Sequence, residues 1–401
     1  VCYLDLDGFK AINDRFGHTV GDRLLVAVTE NIRHILRTHD TIARIGGDEF
    51  VLLLADIGSP EECSQILERI LQVVGSPLPY AGNTVVVHAS IGVSLYPQDR
   101  GDADSLLRHA DQAMYQAKDA GKNRFHLFDP ESDRKAQLHR ALLNQMQSAI
   151  DNNELLLYYQ PKVDLTTGEI IGAEALLRWQ HPSSGFMSPT EFLPHVEGSH
   201  LVQGLGIWVL GAALSQAAQW LAQGQAVAVS VNISAHHLLH PEFLNDLRRA
   251  LATHPEVNPA WLELEVLESA AIDDMDQAIH VLKQCHALGV QLALDDFGTG
   301  YSSLTYLRKL PVDTLKIDQS FVRGMLKDDE DLDIVEGVIS LALAFNRKVI
   351  AEGVETMAHG KTLVTLGCRL AQGYGIARPM PAGQFLDWAT GWAQEKPWLS
   401  M

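Results

Sequence analysis

Short apolar, β-branched runs that end in an acidic or amide residue recur between residues 170 and 372. Glu174, Asn232, Glu265, the Asp295-Asp296 pair, Glu352 and Gln372 each follow one. Runs of this kind fall at 155–163, 170–177, 227–233, 262–267, 290–295, 313–317, 348–352 and 369–376, with helical spacing between most of them. Eight such runs predict a (β/α)8 barrel of about 250 residues, whose strands bring their C-terminal ends to one mouth. Each polar residue is then expected to close its strand and to face the others there.

The first 128 residues carry a different rhythm. Residues 1–6 predict a buried strand, and 9–36 have a helical period broken near Gly17 and Gly21. The runs 41–45 and 49–54 join through Gly46 and Gly47, which predicts a β-hairpin whose glycines supply positive φ. Residues 84–96 alternate as a further strand, and 103–120 form an amphipathic helix stopped by Gly121. A compact α/β unit over 1–128 follows. Residues 129–150 predict a connecting helix, with Leu138, Leu142 and Met146 at spacings of four and Asp129-Pro130 at the domain edge, which leaves 151–401 to the barrel.

Composition narrows the chemistry. With 401 residues the chain has room for two domains. A formal net charge of -19 argues against a nonspecific binder of nucleic-acid polymers or membrane surfaces. Cys2, Cys63, Cys285 and Cys368 lack finger spacing and are expected as core thiols in a reducing compartment. No run is expected to reach the length of a membrane span, and the protein is expected in the cytoplasm, with membrane attachment only through a region preceding Val1. One strand-end carboxylate most often caps the next helix. A whole ring of them does not, and adjacent carboxylates such as Asp295 and Asp296 repel unless cations lie between them. The pattern therefore predicts two divalent metals, with oxygen ligands suited to Mg²⁺ or Mn²⁺.

The strings EALLRW at 174–179, NIS at 232–234, DDFGTGYSSL at 295–304, KID at 316–318, EGVE at 352–355 and QGY at 372–374 occur in order. In these motifs the chain resembles the EAL family of cyclic-di-GMP phosphodiesterases, over roughly residues 138–388. The resemblance implies a TIM-type barrel with one antiparallel strand. It assigns Glu174, Asn232, Glu265 and Asp295 to a first metal and Asp295, Asp296 and Glu352 to a second. Lys316 would hold the attacking water or offset phosphorane charge, and Glu352 would share the general-base work, with Glu174 also counted as catalytic. Arg178, Gln160, Glu355 and Gln372 would orient substrate or water, and Glu268 would steady the loop from 297 to 304 that couples metal binding to dimerisation. Leu267 stands where the family often has Thr, and Gly198 replaces a common acidic residue. Neither change removes a ligand.

The segment RIGGDEF at 44–50, with DLDGFKAINDRFGHTVGD at 5–22, SIGVSLYP at 90–97 and AKDAGKNR at 117–124, resembles the GGDEF family of diguanylate cyclases. That likeness implies a nucleotide-cyclase-palm-like fold, with Asp5, Asp48 and the Leu6 carbonyl on Mg²⁺, Asp48 as a catalytic group and Glu49 as a neighbouring charge. Gly46 and Gly47 would let GTP approach, Asn13 and Asp22 would read guanine, and Lys10, Lys118 and Lys122 would neutralise phosphates. Arg37 and Asp40 resemble the family's RxxD inhibitory site. The helix and DxLTGLxNR segment that precede Asp5 in the family do not stand before it here. Cyclase competence is expected to need them.

Together the resemblances imply hydrolysis of cyclic-di-GMP to pGpG with two Mg²⁺ or Mn²⁺ ions, by a homodimer whose first domain binds GTP with Mg²⁺ and regulates the second or makes the dinucleotide. The competing expectation is a silent receptor for cyclic-di-GMP, which would usually have lost a ligand or the EAL letters. This chain keeps both.

Overall fold

The computed structural model describes residues 1–80, 83–268, 275–299 and 304–395, with the side chains of 83, 136–137, 304–306 and 395 outside that description. The chain divides into two compact units, Val1–Leu138 and His139–Met401. The division falls inside the helix Pro130–Asp151. Met146 and Ala149 of that helix are buried in the core of the second unit and Leu142 packs against it, whereas Leu138 is exposed.

In the first unit the strands are β1 (Cys2–Asp7), β2 (Thr41–Gly46), β3 (Glu49–Leu53), β4 (Leu78–Tyr80), β5 (Asn83–Val85), β6 (His88–Val93) and β7 (Arg124–Leu127). Five make a sheet in the order β2-β3-β1-β6-β7, and β4 with β5 makes a separate hairpin. The expected single strand over 84–96 is therefore two strands, β5 and β6, in different sheets. Period two governs β1: Cys2, Leu4 and Leu6 are buried, while Tyr3, Asp5 and Asp7 lie half-buried on the other face. Gly17 does separate two helices, Phe9–Phe16 and His18–Ile35, but Gly21 stays inside the second. Its missing side chain makes room instead, since a Cβ there would fall 1.9 Å from Asn13 Oδ1. The helix Pro60–Val74, absent from the sequence expectations, starts with Ser59 Oγ accepting the Glu62 amide and with Pro60 in the first turn.

The second unit holds β8 (Leu155–Asp164), β9 (Ile170–His181), β10 (Gly185–Met187), β11 (Val229–Ile233), β12 (Leu262–Leu267), β13 (Gln291–Phe297), β14 (Thr314–Ile317), β15 (Lys348–Ala351), β16 (Leu370–Ala371) and β17 (Met380–Pro381). Neighbouring strands run β9-β11-β12-β13-β14-β15-β16-β8, and β8 pairs β9 again, which closes an eight-strand barrel. The pairs along β9-β11-β12-β13-β14-β15-β16 are parallel, whereas β8 is antiparallel to both β9 and β16, as the family resemblance implies, and β10 adds to β9 in the antiparallel sense outside the barrel. The last expected strand, 369–376, shrinks to Leu370–Ala371.

The helix Leu201–Ala222 overturns the expectation that no run approaches a membrane span. It is 22 residues long, holds an 18-residue stretch with a mean hydropathy of 1.4, and is long and apolar enough to cross one. In the barrel one side of it, including Leu205, Leu210, Leu214, Ala217 and Trp220, is buried in the core.

Candidate active site

Inward positions of the barrel strands bring the predicted residues together. Glu174 lies mid-strand in β9, opposite Gln160 of β8 and next to Ser230 of β11, rather than closing its strand as expected. Asn232 and Glu265 are paired across β11 and β12. Lys316 lies within β14, and Glu352 follows β15, its amide bonded to the Ile317 carbonyl at 3.2 Å. Asp295 and Asp296 would point to opposite faces of a regular strand. The register between β13 and β14 breaks between Leu294 and Phe297, and Asp296 adopts a left-handed φ of 52°, a conformation that aspartate tolerates better than most residues. The irregularity turns both carboxylates toward one place.

The resulting geometry holds two groups, Glu174 with Glu265 and Asp295, and Asp295 with Asp296 and Glu352. Within each, one oxygen per residue lies inside 4.8 Å of the others. Lys316 Nζ stands among four carboxylates, at 2.6 Å from Glu352, 2.7 Å from Glu265, 3.0 Å from Asp295 and 3.7 Å from Glu174. Asn232 donates to Glu174 Oε1 at 2.8 Å, and Gln372 donates to Glu174 Oε2 at 2.6 Å and to Gln160 Oε1 at 2.9 Å.

Electrostatics follow from crowding and burial. Burial, then the Asp295 charge, pushes the Glu352 carboxyl up to about 8 against the pull of Lys316. Burial, Asp295 and Asp318 push Asp296 up to about 6. Glu265 and Asp295 are raised chiefly by burial, helped by Glu174 and Glu265 respectively. Burial alone would lower the Lys316 pKa, but the surrounding carboxylates hold it well above the usual lysine range. A buried set of hard oxygen donors with more negative charge than Lys316 can balance fits divalent cations.

Around the mouth the remaining expectations divide. Gln160 is buried in the cluster and also donates to the Ala377 carbonyl at 3.0 Å. Glu268 accepts the Gly298 amide at 3.1 Å, at the start of the expected loop, whose residues 300–303 lie outside the described residues. Arg178 donates to the Leu177 carbonyl and lies 5.6 Å from the Tyr158 ring centroid, its pKa lowered by burial. Glu355 is paired with Arg323 at 2.9 Å. Asp318 was missed as a site residue. It caps the helix Gln319–Gly324 through the Ser320 amide and faces Asp296, and its place two residues after Lys316 in KID was the available signal.

In the first unit Asp5 pairs with Glu49 across β1 and β3, and its carboxylate meets Lys118 Nζ at 2.8 Å. Burial raises the Asp5 pKa. The Leu6 amide donates to the Asp48 carbonyl at 3.2 Å, and Tyr3 donates to Glu49 at 3.3 Å. Of the turn glycines only Gly47 has positive φ, at 51°; Gly46 does not, so the expectation for the pair holds at one position. Lys10 and Asp22 stand exposed on the first two helices, and Lys122 is exposed in the turn after the helix Ala103–Asp119. Asn13 Oδ1 is buried without a hydrogen-bond partner. Arg37 and Asp40 bond each other through the Arg37 amide at 2.8 Å, while the Arg37 guanidinium pairs with Glu62 at 2.8 Å and Asp40 also accepts the Ala55 amide.

Comparison with known proteins agrees with this layout. The family model "EAL domain" matches residues 143–379, and "Diguanylate cyclase, GGDEF domain" matches residues 1–124. The bifunctional diguanylate cyclase/cyclic di-GMP phosphodiesterase MucR of Pseudomonas aeruginosa is 43% identical over 387 residues, which cover 96% of this chain and 56% of that protein. Cyclic di-GMP phosphodiesterase PdeR of Escherichia coli is 38% identical over 390 residues, covering 97% of this chain and 58% of PdeR. The chain thus spans about half the length of the curated relatives it matches. The solved PaMucR phosphodiesterase in complex with c-di-GMP is 43% identical with a TM-score of 0.59, covering 61% of this chain and 99% of that one. With the carboxylate ring in a closed barrel and a family match over most of that barrel, the chain belongs to the EAL domain family, its barrel preceded by a GGDEF domain.

Proposed function

We propose that the barrel hydrolyses cyclic-di-GMP to linear pGpG with two divalent cations, Mg²⁺ or Mn²⁺. The observation that carries the reading is the pair of carboxylate groups sharing Asp295, each with ligand oxygens inside 4.8 Å. Glu174, Asn232, Glu265 and Asp295 would hold one ion, and Asp295, Asp296 and Glu352 the other. Bound there, the ions would polarise the phosphodiester and lower the pKa of the attacking water. Lys316 keeps the carboxylates in register and offers its charge to the phosphate oxygens. Glu352, positioned beside Lys316 at 2.6 Å, accepts the proton of the attacking water. Arg178, four residues beyond Glu174 on the same face of β9, is set to bond a phosphate, for which it must leave the Leu177 carbonyl.

For the first domain the reading is GTP binding with Mg²⁺ at Asp5, Leu6 and Asp48, which regulates the barrel or condenses two GTP molecules. Lys118 would pass from Asp5 to a phosphate when the nucleotide enters. The protein acts as a homodimer in this reading.

Incubation with cyclic-di-GMP and Mn²⁺ should yield pGpG on anion-exchange chromatography, and Glu174→Ala should lower the rate by at least 100-fold. Intact dinucleotide after long incubation, together with tight binding in calorimetry, would instead make the protein a receptor.

A further inference from the structure

Beneath the mouth lies a second layer of polar side chains that the proposed reaction does not use. Lys162, Ser230, Glu263 and Thr314 each stand two residues along their strands from Gln160, Asn232, Glu265 and Lys316. The period of two therefore points them into the same barrel interior, one step nearer its other end. They bond to one another. Ser230 Oγ donates to Glu263 Oε2 at 2.6 Å, and Thr314 Oγ1 donates to Glu263 Oε1 at 3.0 Å. Lys162 Nζ donates to Ser230 Oγ, to Glu263 Oε2 at 2.5 Å and to Glu265 Oε1 at 3.2 Å.

Lys162 thus ties the lower layer to the upper one at Glu265, which is buried. The two oxygens of Glu265 are divided: Oε1 meets Lys162 from below, and Oε2 meets Lys316 in the mouth. A carboxylate with one oxygen anchored cannot swing, so the other keeps a fixed position. Core packing alone does not ask for this network, because apolar side chains of similar volume commonly replace buried ion pairs without loss of stability.

We infer that Lys162 is a positioning residue, held by Glu263, Ser230 and Thr314, that fixes Glu265 from beneath so that Oε2 is presented to a divalent ion in the mouth. The inference rests on the mouth being a metal centre. Charge and positioning make opposite predictions for its removal. Deleting a cation from an acidic site strengthens divalent binding by simple electrostatics, whereas deleting an anchor beneath a ligand weakens it, typically 10- to 100-fold.

The test is Mn²⁺ titration of the full chain by calorimetry, without substrate. Lys162→Met should raise the Mn²⁺ Kd about 10- to 100-fold, lower kcat at limiting Mn²⁺ and leave KM for cyclic-di-GMP near wild type. Glu263→Gln should shift the Kd in the same direction by less, and the double variant should fall short of the sum of the two effects. An unchanged or tighter Mn²⁺ Kd in a folded Lys162→Met protein overturns the inference. If that variant does not fold, Glu263→Gln and Thr314→Val carry the test, and wild-type Kd values in both overturn it. Wild-type protein that binds Mn²⁺ but leaves cyclic-di-GMP intact defeats the phosphodiesterase reading and leaves the Lys162 result standing. Failure of wild type to bind Mn²⁺ overturns both.

Discussion

Lys316 is a single cation shared by four carboxylates, and its removal tests how far they depend on it. Lys316→Met leaves buried negative charge without its partner, which costs about 3–5 kcal/mol. Urea unfolding in EDTA should show a loss of that size, and Mn²⁺ should restore part of it; an unchanged midpoint in EDTA would mean that the carboxylates are already protonated. At this scale the sequence was most legible where a motif is long: EAL, DDFGTGYSSL and KID name Glu174, Asp295, Asp296 and Lys316. Lys162 and Glu263 were not legible as site residues. Each looks like one polar letter in an alternating strand, and only closure of the barrel shows that the alternation aims them beneath the mouth. Arg37 shows the opposite limit, since its motif matches while its guanidinium is engaged by Glu62, which lies 25 residues away on a helix the pattern did not reveal.

Elements meet most tightly where glycine permits it. Gly92 in β6 lies so close to the helix Ala103–Asp119 that a Cβ would fall 1.9 Å from the Ala110 carbonyl oxygen and 2.0 Å from the Met114 amide. Backbone on both sides cannot yield locally, so Gly92→Ala should destabilise the first unit by about 1–3 kcal/mol or more, read as a lower denaturant midpoint. A stability equal to wild type would show that the helix can slide. The start of the loop after β13 is held by the Gly298 amide donating to Glu268 at 3.1 Å, and by Thr299 donating to the Asp296 carbonyl through its amide at 3.3 Å and its hydroxyl at 2.8 Å. Glu268→Ala should speed hydrogen exchange at Gly298 by about fivefold, the kinetic equivalent of one hydrogen bond of roughly 1 kcal/mol. Exchange at the wild-type rate would assign the order of that turn to other contacts. Periodicity located most of these elements, but it merged β5 with β6 and overlooked β7. Their short runs carry too few alternations to separate turn from strand.

For the whole molecule, the buried acids couple folding to pH. Glu352 is held up to about 8 and Asp296 up to about 6, both above the values of free carboxyl groups. The native state therefore keeps protons that the unfolded chain has already released. Its stability declines as pH rises from 4.5, the ordinary value for Glu352, toward about 8. In EDTA the melting temperature of the barrel should be lower at pH 8 than at pH 5.5, and Mn²⁺ should reverse the order by replacing those protons. His237 and His359, whose pKa values burial lowers, act in the opposite sense over this range, so a pH dependence unchanged in Glu352→Gln is the result that would rule out proton storage in the mouth. Barrel architecture as a whole was legible, because eight apolar runs with polar ends leave little choice. The reversed direction of β8 was not, since a strand's pattern reads alike in both directions and only the family resemblance supplied it.

Closure of the barrel between β8 and β16 also sets a timetable for its synthesis. β8 is made early, yet its partners β16 and β17 come last; Gln160 waits for Gln372, 212 residues away. At about 5–20 residues per second the ribosome leaves the sheet open for roughly 10 to 40 s. During that interval the nascent sheet has an unpaired edge, the kind of surface that recruits other chains. Lys162 and Glu174 lie on the two strands first available, β8 and β9. Both charges point into the barrel, and inward-pointing charges are one of the devices that discourage pairing at an open sheet edge.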